Sequence, residues 1–490
     1  MTATPTHTEP HSAPAVAPEP VGSFQDQRRQ PLALALLISA QFLVMLDTSI
    51  VNVALPSIQS DLGFGPAAVT WVVNAYVLAF AGLLLLSGRA CDLFGRRRLF
   101  TTGAGLFTLG TLLAALATEP VMLIGGRVVQ GIGAAALSPA AMSLLLATFP
   151  AEQRARAMGA WGAASTLGGA TGVVTGGLLV GSLGWRAVFL VTVPVSVAAV
   201  VLARRILAAD AVTGRRSLDW VGAALATGAV ITLVHGAVDA VDHAWTSPRV
   251  LGLLATSVAL GAAFVAVERR VVDPLVPPAL FGSRMTRRGV VLALLGGATR
   301  GSTFVLIALY LQQVLAMPPQ QAGIAMVPTS LTGFAVSLGI LPRALKAFGP
   351  LRTLVVGLVL LAGGQLWLAY SPQDLGYLPA VLPGLLLVAT GVALSFTPTT
   401  MVLAAAVPAS HTGLASGLAS ASMQVGGALG TAAFIVIGAS AGQQATGALD
   451  GSGFTAAFTA GAGVALATAA LGWRALSAGR AGARHGTGVL

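Results

Sequence analysis

The chain has 490 residues, of which 55% are hydrophobic and 9% charged, with a net charge of +11. So little polar surface excludes a soluble globular protein and marks a polytopic membrane protein. Its one cysteine, Cys91, excludes an internal disulfide and any multi-cysteine metal site; its one lysine, Lys346, precedes Ala347, so no Gly-Lys-Ser/Thr phosphate loop exists and ATP hydrolysis of that kind is excluded.

Residues 1–30 are rich in Pro, Thr, Ala and His and lack the apolar stretch of a signal peptide, so a disordered cytoplasmic tail is expected. A helix crosses hydrocarbon in about 20 apolar residues. Fourteen stretches qualify: 32–56, 69–89, 99–118, 121–147, 157–181, 186–207, 219–239, 249–267, 289–315, 321–342, 352–370, 377–405, 413–441 and 454–473. With a cytoplasmic N-terminus, Arg186 and Arg249 fall outside and Arg127 and Arg300 within spans; the rest of the 27 basic residues face the cytoplasm. The positive charge then meets the anionic inner leaflet, and nucleic acid is not needed to explain it.

The first stretch contains "LVMLDTSIVNVALP", where Asp47 interrupts an apolar run. A carboxylate in hydrocarbon is tolerable when protonated and costly when ionised, which makes Asp47 a candidate proton carrier; the competing reading is an Asp that only pins a neighbour. Arg127 and Arg300 are lone cations within spans, each a candidate for function or for a structural pair. Soft or flat apolar side chains such as Met45 and Met423, with Phe42, Phe396 and Trp161, are candidate cavity linings, against the plainer reading of helix packing. Asp239 and His235 sit near the outer end of the seventh stretch and read as interfacial.

Between the second and third stretches lies "GRACDLFGRRRLF". Gly88 and Gly95 permit a tight turn and close helix approach, and Asp92 sits among Arg89, Arg96, Arg97 and Arg98. An acid there pairs with those arginines or faces the positive end of a neighbouring helix. This loop resembles the signature loop of the major facilitator superfamily, a latch between two six-helix halves, with Gly88, Asp92, Gly95, Arg96 and Arg97 on its pattern. "RVVQGIGAAAL" from Arg127 resembles that family's fourth-helix motif, and "LDTSIVNVALP" the first helix of its fourteen-span drug:proton antiporters. "GGATGVVTGGLL" resembles the antiporter motif of the fifth helix: Gly168, Gly172, Gly176 and Gly177 fit, while Val173 stands where proline is usual.

The resemblance implies an all-α integral membrane protein of the major facilitator fold: two six-helix bundles plus an inserted helix pair, 14 transmembrane helices, both termini cytoplasmic. The expected divisions are a tail at 1–30, a first bundle at 31–208, an inserted pair at 209–270, a cytoplasmic linker at 271–288, a second bundle at 289–475 and a tail at 476–490. A faint repeat agrees: "GILPRALKAFGPLRTL" places Gly339, Arg343, Gly349 and Arg352 where the signature loop would recur, without its acid. The implied function is efflux of hydrophobic drugs across a bacterial cytoplasmic membrane, driven by the proton gradient with no other cofactor. Asp47 and Arg127 would couple protons, and a monomer would suffice, with substrate, protons and bilayer as its partners. An importer or symporter on the same scaffold is the alternative. A membrane-bound enzyme or sensor lacks both a metal-spaced cluster and a soluble domain.

Overall fold

The structure, a computed structural model, describes residues 29–485 apart from 66–67, 209–217, 244, 272, 373–375, 409–410, 443 and 445–448. The expected tail at 1–30 therefore lies almost wholly outside the described residues. What is described is nearly all helix, as burial in lipid requires: with no water to satisfy them, backbone groups must bond within the segment. In chain order the first helices are α1 (Gln30–Leu62), α2 (Trp71–Phe94), α3 (Arg96–Ala115), α4 (Pro120–Thr148) and α5 (Ala151–Leu183). A broken pair follows, α6 (Arg186–Leu190) and α7 (Val193–Ile206), where a single span was expected at 186–207. Next come α8 (Trp220–Asp242), α9 (Pro248–Glu268), α10 (Arg284–Gln313), the short α11 (Pro319–Ala325) and α12 (Val327–Tyr370). The last are α13 (Leu382–Ala405), α14 (Thr412–Ala441) and α15 (Gly451–His485).

Local chemistry sets the ends. Asp219 and Ser247 accept from the backbone N–H groups of Gly222 at 2.8 Å and Val250 at 3.3 Å, capping α8 and α9. Gly63 closes α1 in the left-handed conformation, φ 66°. The helix expected to end near 473 runs on to His485, because the Ala-rich continuation has high helix propensity.

Among the described residues, 12 helices are by length and hydropathy long and apolar enough to cross a membrane. Two features separate that number from the expected fourteen. Helix α3 opens on Arg96, Arg97 and Arg98 and is not one of the 12, and the stretches at 321–342 and 352–370 join into one run, Gln321–Tyr370. That run breaks at Gly349, whose φ of 76° is non-helical.

Two halves emerge from the packing. One core joins α1 to α5 and α7 and reaches Val336, Leu341 and Leu345 of α12; the other joins α10 and α12 to α15. The halves share a seam built of glycines. A Cβ on Gly110 would strike the backbone N of Gln130, and one on Gly133 the N of Phe107, so α3 and α4 touch backbone to backbone. After Gly349 the pattern recurs: a Cβ on Gly364 would lie 2.7 Å from Val388 N, and one on Gly391 would strike Leu361 N. In each helix the glycines are seven apart: Gly103 and Gly110, Gly126 and Gly133, then Gly357 and Gly364, Gly384 and Gly391. Gly95 and Gly349, φ 96° and 76°, stand before the two corresponding helices. The repeat expected from the loop is thus carried far more strongly by the helix seams. Helix α8 covers the junction of the halves, with Val234 packed among Leu78 and Ala81 of α2 and Val425 and Ala428 of α14.

Candidate functional site

Asp47 is fully buried on α1 and meets α4. Arg127 Nη1 donates to Asp47 Oδ2 at 2.7 Å, and Gln130 Nε2 donates to Asp47 Oδ1 at 2.7 Å. Arg127 Nη1 also donates to Gln130 Oε1 at 2.7 Å, and Arg127 Nε donates to the carbonyl of Val72 at 2.9 Å. Gln130 donates to Thr111 Oγ1 at 2.9 Å, and the Tyr76 ring lies under the guanidinium, 4.3 Å from its carbon to the ring centre. Four helices therefore converge on one ion pair. Removing one partner of such a pair costs about 3–5 kcal/mol, because the other charge is left buried and alone. Asp47 and Arg127 were legible in the sequence; Gln130, Thr111 and Tyr76 were not singled out. Gln130 had a signal, since it stands three residues after Arg127 and hence on the same helix face.

Close packing holds α1 at this depth. On α5, a Cβ at Gly168 would lie 2.6 Å from the carbonyl of Phe42, one at Gly172 2.6 Å from Ser49 Cβ, and one at Gly176 3.1 Å from Ile50. Ser49 Oγ donates to the carbonyl of Gly169 at 2.7 Å. Gly177 does not join this seam: it faces open space, because it lies one residue off the four-residue spacing that puts the other three on one face. Helix α5 runs unbroken through Val173.

At the end of α2, Asp92 faces the positive end of a neighbouring helix, the second of its two expected options, and the charge of Arg96 also acts on it. Its carboxylate accepts from the backbone N–H groups of Gly413 and Leu414, both at 2.9 Å, and so caps α14 of the other half. Gly88 allows the approach, since a Cβ there would lie 2.8 Å from the carbonyl of Gly413 and 2.9 Å from Gly417 Cα. Arg97 donates to the carbonyl of Leu207 at 3.1 Å, tying the loop to the end of α7, and Arg96 opens α3 behind Gly95. Nearby, Glu268 accepts from the N–H groups of Leu275 and Val276 at 3.1 and 3.0 Å, a buried carboxylate missed in the sequence.

The remaining candidates separate. Met45 packs on Gly168 of α5, whereas the backbone of Met423 lies against Gly297 of α10 in the other half. Asp239 pairs with Arg249 at 2.9 Å, joining α8 to α9, and His235 rests 5.5 Å from the Trp71 ring. Arg300 is 4% exposed on α10, and neither Nη1 nor Nη2 has a hydrogen-bond partner among the described residues. No group of three or more His, Cys, Asp or Glu side chains able to hold a metal occurs among the described residues.

Two bundles of apolar helices, joined across one capped helix end and enclosing a buried ion pair, define a multi-pass membrane protein of the transporter type. The Major Facilitator Superfamily model matches residues 37–431, and the chain belongs to that family. It is 39% identical over 409 residues to the cephamycin export protein CmcT of Amycolatopsis lactamdurans, covering 83% of this chain and 84% of that one. It is 38% identical over 483 residues to the puromycin resistance protein pur8 of Streptomyces alboniger, covering 94% of each. The lincomycin resistance protein of Streptomyces lincolnensis matches at 33% over 463 residues, covering 92% of each. Among solved structures, the proton:xylose symporter XylE superposes with a TM-score of 0.62 at 15% identity, covering 92% of this chain and 96% of that one, which bears on the fold alone.

Proposed function

We propose that this protein exports hydrophobic drugs or antibiotics across the bacterial cytoplasmic membrane in exchange for protons. It works by alternating access of its two halves and confers resistance. The observation that carries the coupling is the buried Asp47–Arg127 pair at 2.7 Å. Ionised, Asp47 holds Arg127 and Gln130 and clamps α1 to α4. Protonated, it surrenders the charge that Arg127 needs, and the clamp loosens. A proton taken up on one face and released on the other is thereby linked to the position of α1, which moves with α5 through their glycine contacts. Asp92, capping α14 from α2, latches the halves on its side of the membrane and releases when that side opens.

In this reading fourteen helices span the bilayer, with α3 and both segments of α12 counted, and both termini face the cytoplasm. The transporter is a monomer, needs no cofactor beyond the proton gradient and catalyses no covalent step. The similarity to the three export and resistance proteins supports the direction of transport. The test is expression in a drug-hypersensitive bacterium: reduced susceptibility to one or more antibiotics and lowered dye accumulation, both reversed by an uncoupler, are expected. Unchanged susceptibility across a broad antibiotic panel at verified membrane expression would refute export.

A further inference from the structure

The repeat identifies what stands opposite the ion pair in the second half. Asp47 is the eighteenth residue of α1 and Arg300 the seventeenth of α10. Thr111 is the sixteenth residue after Gly95, and Gln365 the sixteenth after Gly349. Arg127 follows Gly126, and Leu385 follows Gly384; Gln130 is met by Gly110, and Val388 by Gly364. The second half therefore has a cation within one residue of the carboxylate's position, and buried Leu385 and Val388 in place of the arginine and glutamine.

The guanidinium lies back over Gly296, where a Cβ would sit 2.7 Å from Nη1. The hydroxyls beside it turn to the backbone and accept nothing from the guanidinium Nη atoms: Thr299 donates to the carbonyl of Gly296 at 3.2 Å, and Thr303 to that of Thr299 at 2.5 Å. Gln365 Nε2 donates to Thr303 Oγ1 at 2.5 Å, while its carbonyl oxygen, also buried, has no partner among the described residues. A buried guanidinium with two unused N–H faces is among the costliest groups a membrane helix carries, and it is relieved by an anion.

Resting on the export reading above, we propose that Arg300 binds an anionic oxygen group, of the carboxylate class, carried by the transported molecule. The exported compounds then include organic acids, and the two halves divide the work, a proton on Asp47 and an anionic substrate group on Arg300. Access to Arg300 opens as the halves part.

The experiment uses the purified full chain in detergent, titrated with naphthoate and with the isosteric naphthamide, and followed by melting temperature. Naphthoate is expected to raise it, because a ligand bound to the native state alone stabilises that state. Arg300→Gln should weaken the apparent affinity roughly tenfold to a hundredfold, the range of a lost charge-assisted contact, with Arg300→Lys between. Naphthamide should have no effect. Leu385→Glu supplies an internal carboxylate where Arg127 stands in the first half; it should fold and no longer respond to naphthoate, which decides the matter even if Arg300→Gln does not fold. No response from the wild type, an equal response to the amide, or an equal response after Leu385→Glu overturns the proposal. So does reproduction of the shift by chloride alone, which would make this a free inorganic-anion site. In cells, Arg300→Gln should stop efflux of a carboxylate-bearing rhodamine and spare its methyl ester; equal loss of both at normal folding would make Arg300 structural. Binding without efflux would remove the export reading and leave the site, whereas efflux of the ester without naphthoate binding would do the reverse.

Discussion

The two halves share a skeleton and differ in what it carries. Both place a pair of helices backbone to backbone through glycines seven residues apart, behind a glycine with positive φ. In the first half that skeleton presents a closed network, in which Asp47, Arg127, Gln130 and Thr111 satisfy one another. In the second, among the described residues, neither Nη1 nor Nη2 of Arg300 has a hydrogen-bond partner, and nor has the carbonyl oxygen of Gln365. Small residues in the seam fix geometry and tolerate no change, whereas the polar positions beside it are free to diverge. The two halves thus carry opposite charges, Asp47 and Arg300, on related helices.

The largest effect is expected where the halves agree. Gly133→Val and Gly391→Val drive side-chain carbons into the backbone at Phe107 and Leu361, which cannot yield as a flexible side chain would. Overpacking of this kind costs about 1–3 kcal/mol or more, and both variants should fail to yield monodisperse protein on size-exclusion chromatography. A normal yield for one and not the other would break the equivalence of the two seams. Gly172→Leu, pressed against Ser49 and the carbonyl of Leu46, belongs with them and should abolish transport.

Next comes the site at which the halves diverge. Asp47→Asn keeps the shape of the network and removes the carboxylate that faces Arg127. Uphill efflux should vanish while downhill exchange survives in part, and Asp47→Glu should keep some activity. Uncoupler-sensitive uphill efflux by the Asn variant, measured in proteoliposomes with an imposed pH gradient, would move proton coupling away from α1. A smaller loss is expected at the junction of the halves. Asp92→Asn retains only one good acceptor for the N–H groups of Gly413 and Leu414, and bonds to a charged group are worth about 1.5–3 kcal/mol each. Transport should fall at least about tenfold with normal insertion, since about 1.4 kcal/mol already shifts a two-state equilibrium that far. Wild-type rates at matched expression would remove the latch.

These comparisons also mark what the amino-acid sequence discloses. Asp47 and Arg127 stood out because a charge inside an apolar run violates the local pattern, and Asp92 because an acid interrupted a basic loop. Helix positions followed from apolar length. The pairing of Gln130 with Asp47 did not, because a glutamine in a helix is unremarkable until the helix opposite is known. The four-residue spacing of Gly168, Gly172 and Gly176 was legible as a packing face that leaves Gly177 out. The seams of α3 with α4 and of α12 with α13 were hidden: 60 glycines are spread through the chain, and only three-dimensional contact picks out those that meet backbone. The break of α12 at Gly349 was legible, because the apolar run lapses between 342 and 352 and the loop pattern of Gly95 recurs there.

The smallest expected effect concerns Val173, where the antiporter pattern has proline. Proline inside a helix removes one N–H bond to the carbonyl four residues earlier and crowds it, at about 3 kcal/mol. Here that carbonyl belongs to Gly169, and it already accepts from Ser49 Oγ at 2.7 Å. A proline at 173 would therefore free no carbonyl, and the kink it introduces would be absorbed at a point where α5 is already fastened to α1. Val173→Pro alone should preserve transport, and Val173→Pro combined with Ser49→Ala should lose it, although Ser49→Ala alone has little effect. A double-mutant cycle on dye efflux reads this directly. Additive effects would mean that Ser49 does not compensate for the lost N–H at 173.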